Sequence, residues 1–129
     1  MKLAIIGSRV IEDLNLNEYI KEKPDVVISG GAKGIDTIAW EWALENSIEI
    51  IVHRPNYNEH GKWAALRRND IIIDEADKII AFWNGKSTGT KYVIERAKKL
   101  NKPLEIILIK ESSEVKNKEE TTNYTNYNE

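Results

Sequence analysis

Five short apolar runs punctuate the chain: KLAII (2–6), DVVIS (25–29), IEIIV (48–52), KIIAF (78–82) and LEIILI (104–109). Each is nearly continuous in hydrophobicity rather than alternating. That is the pattern of strands covered on both faces, as in a parallel sheet beneath helices. Helical spacing fills the intervals. It predicts helices over 13–22, ended by Pro24, over 36–46, carrying Ile38, Ala39, Trp42 and Ala43, and over 62–76. A fourth is predicted over 88–100, where Val93, Ala97 and Leu100 fall at i, i+4, i+7 and Asn101 and Pro103 act as stop signals.

Strand and helix therefore alternate to residue 109. The economical arrangement is a single α/β domain, a Rossmann-like three-layer sandwich around a five-stranded parallel sheet of order 3-2-1-4-5. In that order the first and fourth strands are neighbours and the chain reverses its direction of travel between them. Ligands in such sheets settle at the carboxyl ends of the strands at that switch point. Residues 110–129, KESSEVKNKEETTNYTNYNE, offer almost nothing to bury and are expected to form a disordered polar tail beyond the 1–109 domain.

Composition narrows the function. A length of 129 residues fits one domain. Nineteen Lys and Arg stand against 21 Asp and Glu, a net charge of −2, so nucleic acid is not the expected partner. The chain has no cysteine, which excludes disulfides, thiolate zinc sites and cysteine nucleophiles. His53 and His60 stand seven apart without supporting ligands, so no metal site is expected. The opening MKLAIIGSRVIED reads as neither signal peptide nor membrane anchor, and no run approaches the ~18 apolar residues that span a bilayer. The expected compartment is the cytoplasm.

The candidate chemistry lies in three loops that the fold brings to one edge. Gly7-Ser8-Arg9 follows the first strand, Ser29-Gly30-Gly31-Ala32-Lys33-Gly34 closes the second, and Asn84-Gly85-Lys86-Ser87-Thr88-Gly89-Thr90 follows the fourth. Each carries glycine and one cation: Arg9, Lys33 or Lys86. The second and third loops run into helix starts, whose free N–H groups and partial positive charge suit an anion. Glycine lets backbone approach phosphate oxygens closely. Asp36 and Thr88 could equally serve as helix N-caps. None of the loops has Walker A or GxGxxG spacing. Asn69 is the polar exception on the stripe Ala65, Asn69, Ile72, Ile73, Ala76, facing a ligand or capping a strand end; Arg67 and Arg68 flank it, and Arg67 is taken as the one reaching the cleft. Tyr57, His60 and Trp63 stand in the longest loop, either walling a base or packing elsewhere. Trp40 falls opposite Ile38 and Trp42 on its helix, which suggests cover by a second subunit and hence a homo-oligomer, a dimer or larger.

GSR after the first strand, SGGAKGID after the second, HGKWAALRRN opening the third helix and AFWNGKSTGT after the fourth resemble the SLOG superfamily of Rossmann-like ligand-binding domains, in particular its stand-alone YspA and YpsA-related group. The four motifs span residues 7 to 90. The resemblance implies a nucleotide or nucleotide-derived ligand held at these loops by Gly7, Ser8, Arg9, Ser29, Gly30, Gly31, Lys33, Gly34, Asp36, Arg67, Asn69, Gly85, Lys86, Ser87, Gly89 and Thr90. It also brings two alternatives. The similar Lonely Guy phosphoribohydrolases place a catalytic Glu three residues after the Thr of PGGxGTxxE. Here that position is Val93, and Glu95 lies ~200° further around the helix, so Asp36, Glu59 or Glu95 would have to serve. The similar DprA proteins bind single-stranded DNA and hand it to a recombinase; this chain is expected to lack their flanking domains, and it has no net positive charge. The expected function is a binding module or sensor for a small phosphorylated ribonucleoside, such as a nucleotide or an ADP-ribose-like compound, with hydrolysis and strand binding as alternatives.

Overall fold

Parity along the first strand decides the layering. Leu3 and Ile5 face one side of the sheet, Ala4 and Ile6 the other, and all four are buried. A computed structural model describes residues 1–110 and 126–128. Its strands are β1 (Lys2–Gly7), β2 (Val26–Ser29), β3 (Glu49–Val52), β4 (Lys78–Trp83), β5 (Leu104–Leu108) and β6 (Asn126–Asn128). The first five are parallel, in the order β3-β2-β1-β4-β5. This is the doubly wound arrangement that the continuous apolar runs imply.

The helices are α1 (Ile35–Glu45), α2 (Tyr57–His60), α3 (Ala64–Glu75) and α4 (Thr88–Lys99). α1 covers the side of Leu3, Ile5, Val27, Ile80 and Phe82, with Ala39, Trp42 and Ala43 as its buried face. On the other side α3 and α4 present Ile72, Ile73, Ala76, Val93, Ile94 and Ala97 to Ala4, Ile6, Ile28, Ile79 and Ile106. α4 stops where Asn101 turns left-handed (φ 58°) and Lys102 N–H bonds the Ala97 carbonyl. Among the described residues no helix is long and apolar enough to cross a membrane.

One expectation needs correction. Residues 13–22 do not form a helix; only a single 3-10 turn, Leu16–Glu18, interrupts an irregular segment. The Asn15 side chain accepts from Asn17 N–H, diverting the backbone from a helical ladder. The segment still serves the core as a pad. Leu16 is buried, Tyr19 meets Phe82 edge-on at 5.3 Å, and Asn17 Oδ1 takes the Trp42 indole N–H at 2.8 Å. At the sheet edge β6 pairs antiparallel with β5 through Glu105↔Asn128 and Ile107↔Asn126. Strand addition needs backbone groups more than apolar side chains, so polar composition does not announce it. The rest of the expected tail after Lys110 lies outside the described residues.

Candidate functional site

The carboxyl ends of β1, β2 and β4 are fastened to one another by backbone. Ser8 is fully buried: its N–H bonds Phe82 O at 3.0 Å and its hydroxyl accepts from Asn84 N–H at 3.1 Å. Its carbonyl takes Ile35 N–H at 3.4 Å, at the start of α1. The glycines make this closeness possible. A Cβ on Gly7 would lie 2.5 Å from both Ile35 Cγ1 and Phe82 O. Gly34 has φ +72°, and a Cβ there would meet Arg9 O at 2.5 Å. Gly7, Ser8 and Gly34 thus form the clasp beneath the site.

The start of α4 is built by its own side chains. Asn84 Oδ1 accepts from the N–H groups of Lys86 and Ser87, both at 2.9 Å. Ser87 is the N-cap; its hydroxyl accepts from Thr90 N–H at 3.3 Å and donates to Thr90 Oγ1 at 3.1 Å. Thr88 is therefore inside the helix and does not cap it. Nor does Asp36 cap α1, whose N-cap is Gly34. The Asp36 carboxylate turns back instead and accepts from Ala32 N–H at 3.0 Å, bracing the β2–α1 loop.

Above the clasp opens a cavity of about 500 Å³, within the ordinary range of small-molecule sites. Its polar lining includes Arg9, Asp36, Arg68, Asn69, Lys86 and Ser87, with Ser8 at its floor, and Ile6, Leu66, Ile72 and Val93 supply apolar wall. Arg68 reaches in from α3. Its Nε donates to Asn69 Oδ1 at 2.8 Å, and its Nη1 donates to Gly30 O and, at 3.4 Å, to His53 O. Arg68 and Asp36 sit astride Gly30, where a Cβ would meet Arg68 Nη1 at 2.7 Å and Asp36 Oδ2 at 3.0 Å. Burial pushes the Asp36 carboxyl above its usual range, opposed by the Ala32 N–H, Arg68, the Gly30 N–H and Arg9. Burial likewise lowers the Arg68 guanidinium; Asp36 and Tyr57 hold it up, while Arg9 presses it down. No ion pair to Arg9, Arg68 or Lys86 is formed among the described residues.

Of the residues singled out in sequence, Gly7, Ser8, Arg9, Gly30, Asp36, Asn69, Lys86, Ser87, Gly89 and Thr90 line this cavity together. Lys33, Gly34, Arg67 and Gly85 do not. Arg67 is exposed, and Arg68 takes the place assigned to it. Ser29 and Gly31 line a second hollow of about 250 Å³ on the far side of the same corner. It shares Ala32 and Asp36 with the first and adds Trp40 and Arg54. Tyr57 and Trp63 are exposed and stand off both cavities. His53 instead bonds Glu75 through Nε2 at 2.6 Å. Of the three carboxylates weighed for hydrolysis only Asp36 reaches the cavity, and Val93 forms wall. Among the described residues no cluster of His, Asp and Glu could hold a metal ion.

Comparison with known proteins bears on these loops. Residues 1–60, which include the first two, match YAcAr, the YspA, cpYpsA-related SLOG family. The chain is 33% identical over 116 residues to the Gene 61 protein of Mycobacterium phage D29, covering 80% of this chain and 93% of the phage protein. No solved structure matches. On these two matches the chain belongs to the YspA, cpYpsA-related SLOG family.

Proposed function

We propose that the larger cavity binds a small phosphorylated ribonucleoside and that the protein works as a binding module or sensor for it. SLOG membership suggests a nucleotide-related role, either binding or processing. One observation carries the choice of an anionic ligand: Arg9, Arg68 and Lys86 border a single cavity without acidic ion-pair partners among the described residues. Arg9 also disfavours the charge on Arg68, against the support of Asp36. A phosphate between them relieves that repulsion and gains charge-assisted hydrogen bonds. The Thr88 and Gly89 N–H groups at the start of α4, left over after Ser87 has capped Thr90, supply further donors. Asp36, bordering the same space, suits ribose hydroxyls.

Binding is favoured over base release because Val93 occupies the place of the ribohydrolase carboxylate. Titration calorimetry with a nucleoside and its 5′-monophosphate tests the reading, alongside native mass spectrometry of protein freshly purified from cells. The monophosphate should bind at least about tenfold more tightly, and Lys86→Ala should remove most of that advantage. Ser87→Ala is a poorer probe, since loss of the cap costs about 1 kcal/mol by itself. Equal affinity for nucleoside and monophosphate refutes the phosphate seat.

A further inference from the structure

We infer that the smaller hollow behind the β2–α1 corner receives the base of the same ligand, and that the base is a purine with an acceptor edge, as in guanine. The inference rests on the phosphate reading of the larger cavity. At about 250 Å³ the hollow is smaller than a whole-ligand site and suits one fragment. Its common wall with the larger cavity is Ala32 and Asp36. A ligand with phosphate on one side and base on the other crosses that wall at its ribose, beside the Asp36 carboxyl.

Two side chains give the hollow its chemistry. Trp40 is 46% exposed although it belongs to α1, whose neighbouring Ala39, Trp42 and Ala43 are buried. An indole left half in water beside a concavity is a stacking surface for a planar heterocycle. Arg54 lies across the corner with its Nη1 donating to Gly31 O at 3.1 Å. Gly31 makes room for it: with φ +74°, a Cβ there would meet Arg54 Nη1 at 2.7 Å and Val52 Cγ1 at 2.9 Å. The other guanidinium N–H groups of Arg54 make no hydrogen bond among the described residues, and the side chain forms no ion pair there. A fixed two-pronged donor matches the adjacent O6 and N7 acceptors of guanine, whereas adenine offers a donor in place of O6.

The test uses the full chain with ribose 5-phosphate, guanosine monophosphate and adenosine monophosphate, in calorimetry and native mass spectrometry. Trp40→Ala should weaken both nucleotides by about 5- to 150-fold and leave ribose 5-phosphate within about twofold. Arg54→Lys keeps the charge without the fork, and should erase a guanosine preference of about 5- to 150-fold. Nucleotide affinities untouched by both variants overturn the inference. So does a change of subunit number in Trp40→Ala with affinity unchanged, which assigns the indole to an interface. Ribose 5-phosphate binding with no gain from either base refutes the base subsite alone. Wild-type protein that binds none of the three refutes the phosphate reading and this inference together.

Discussion

Gly89 has no internal reason to be glycine, and replacing it separates folding from binding. It is the second residue of α4, its φ is not in the left-handed region, and a Cβ built there meets nothing within 4 Å. Glycine inside a helix costs roughly 0.5–1 kcal/mol relative to alanine; in a first turn the lower part of that range applies. Gly89→Ala should therefore raise ligand-free stability by about 0.5 kcal/mol, a rise in Tm of about 2 °C for a domain of this size. The new methyl would stand on the cavity wall beside the Thr88 and Gly89 N–H groups. An oxyanion held off those donors loses hydrogen bonds that each contribute about 1.5–3 kcal/mol when charged, so monophosphate affinity should drop at least about tenfold. Thermal melts without ligand and titration calorimetry with the monophosphate read the two effects separately. A lower Tm means that the glycine serves the fold after all. A raised Tm with unchanged affinity means that no ligand approaches the start of α4, and refutes its place in the phosphate seat.

Burial raises the Asp36 carboxyl above its ordinary 3.8. Between those values the folded protein keeps a proton that the unfolded chain has released, so this group's contribution to stability falls as pH rises through the window and is constant above it. Asp36→Asn has no such titration. Its stability relative to wild type should climb with pH across that window in urea unfolding measured from about pH 4 to about pH 8, and a relative decline would show that burial is not the dominant influence. Arg68→Ala strips the donors from Gly30 O and His53 O. It should cost about 1–3 kcal/mol in chemical denaturation as well as weakening monophosphate binding, while Arg67→Ala should stay within about 0.5 kcal/mol of wild type. Equal behaviour of the two variants would remove Arg68 from the site.

The contrast between those two arginines shows where the sequence was legible and where it was not. Continuous apolar runs placed all five parallel strands: a strand buried on both faces, as β1, β2 and β4 are, cannot alternate, and the half-buried edge strand β3 keeps the same apolar run. Glycine at the strand ends placed the loops. Which neighbouring cation entered the cleft depended on one row of α3. Arg68 stands four residues from buried Ala64 and four from buried Ile72, whereas Arg67 shares its row with exposed Trp63 and Ile71. That spacing was present in the sequence, but the stripe traced through Ala65 and Asn69 obscured it. Arg54 carried no such signal. It follows β3 in an irregular loop and acquires meaning only through a contact across 23 residues with the Gly31 carbonyl. The segment 13–22 failed for a local reason, since asparagine side chains compete with the helical ladder that its apolar spacing suggested.

The glycines divide on the same physical line. Gly7 and Gly34 are fixed by neighbouring backbone at 2.5 Å, so the protein itself forbids a side chain at either position. Gly30 and Gly31 are fixed by the cations laid across them, Arg68 and Arg54, so they hold donors at the rims of the two cavities. At Gly89 nothing in the protein fills the space a side chain would take, although that space borders the cavity where Arg9, Arg68 and Lys86 lack ion-pair partners among the described residues. A fold that spends helix stability there, beside three cations without ion-pair partners, fits the proposed anionic ligand as the missing neighbour.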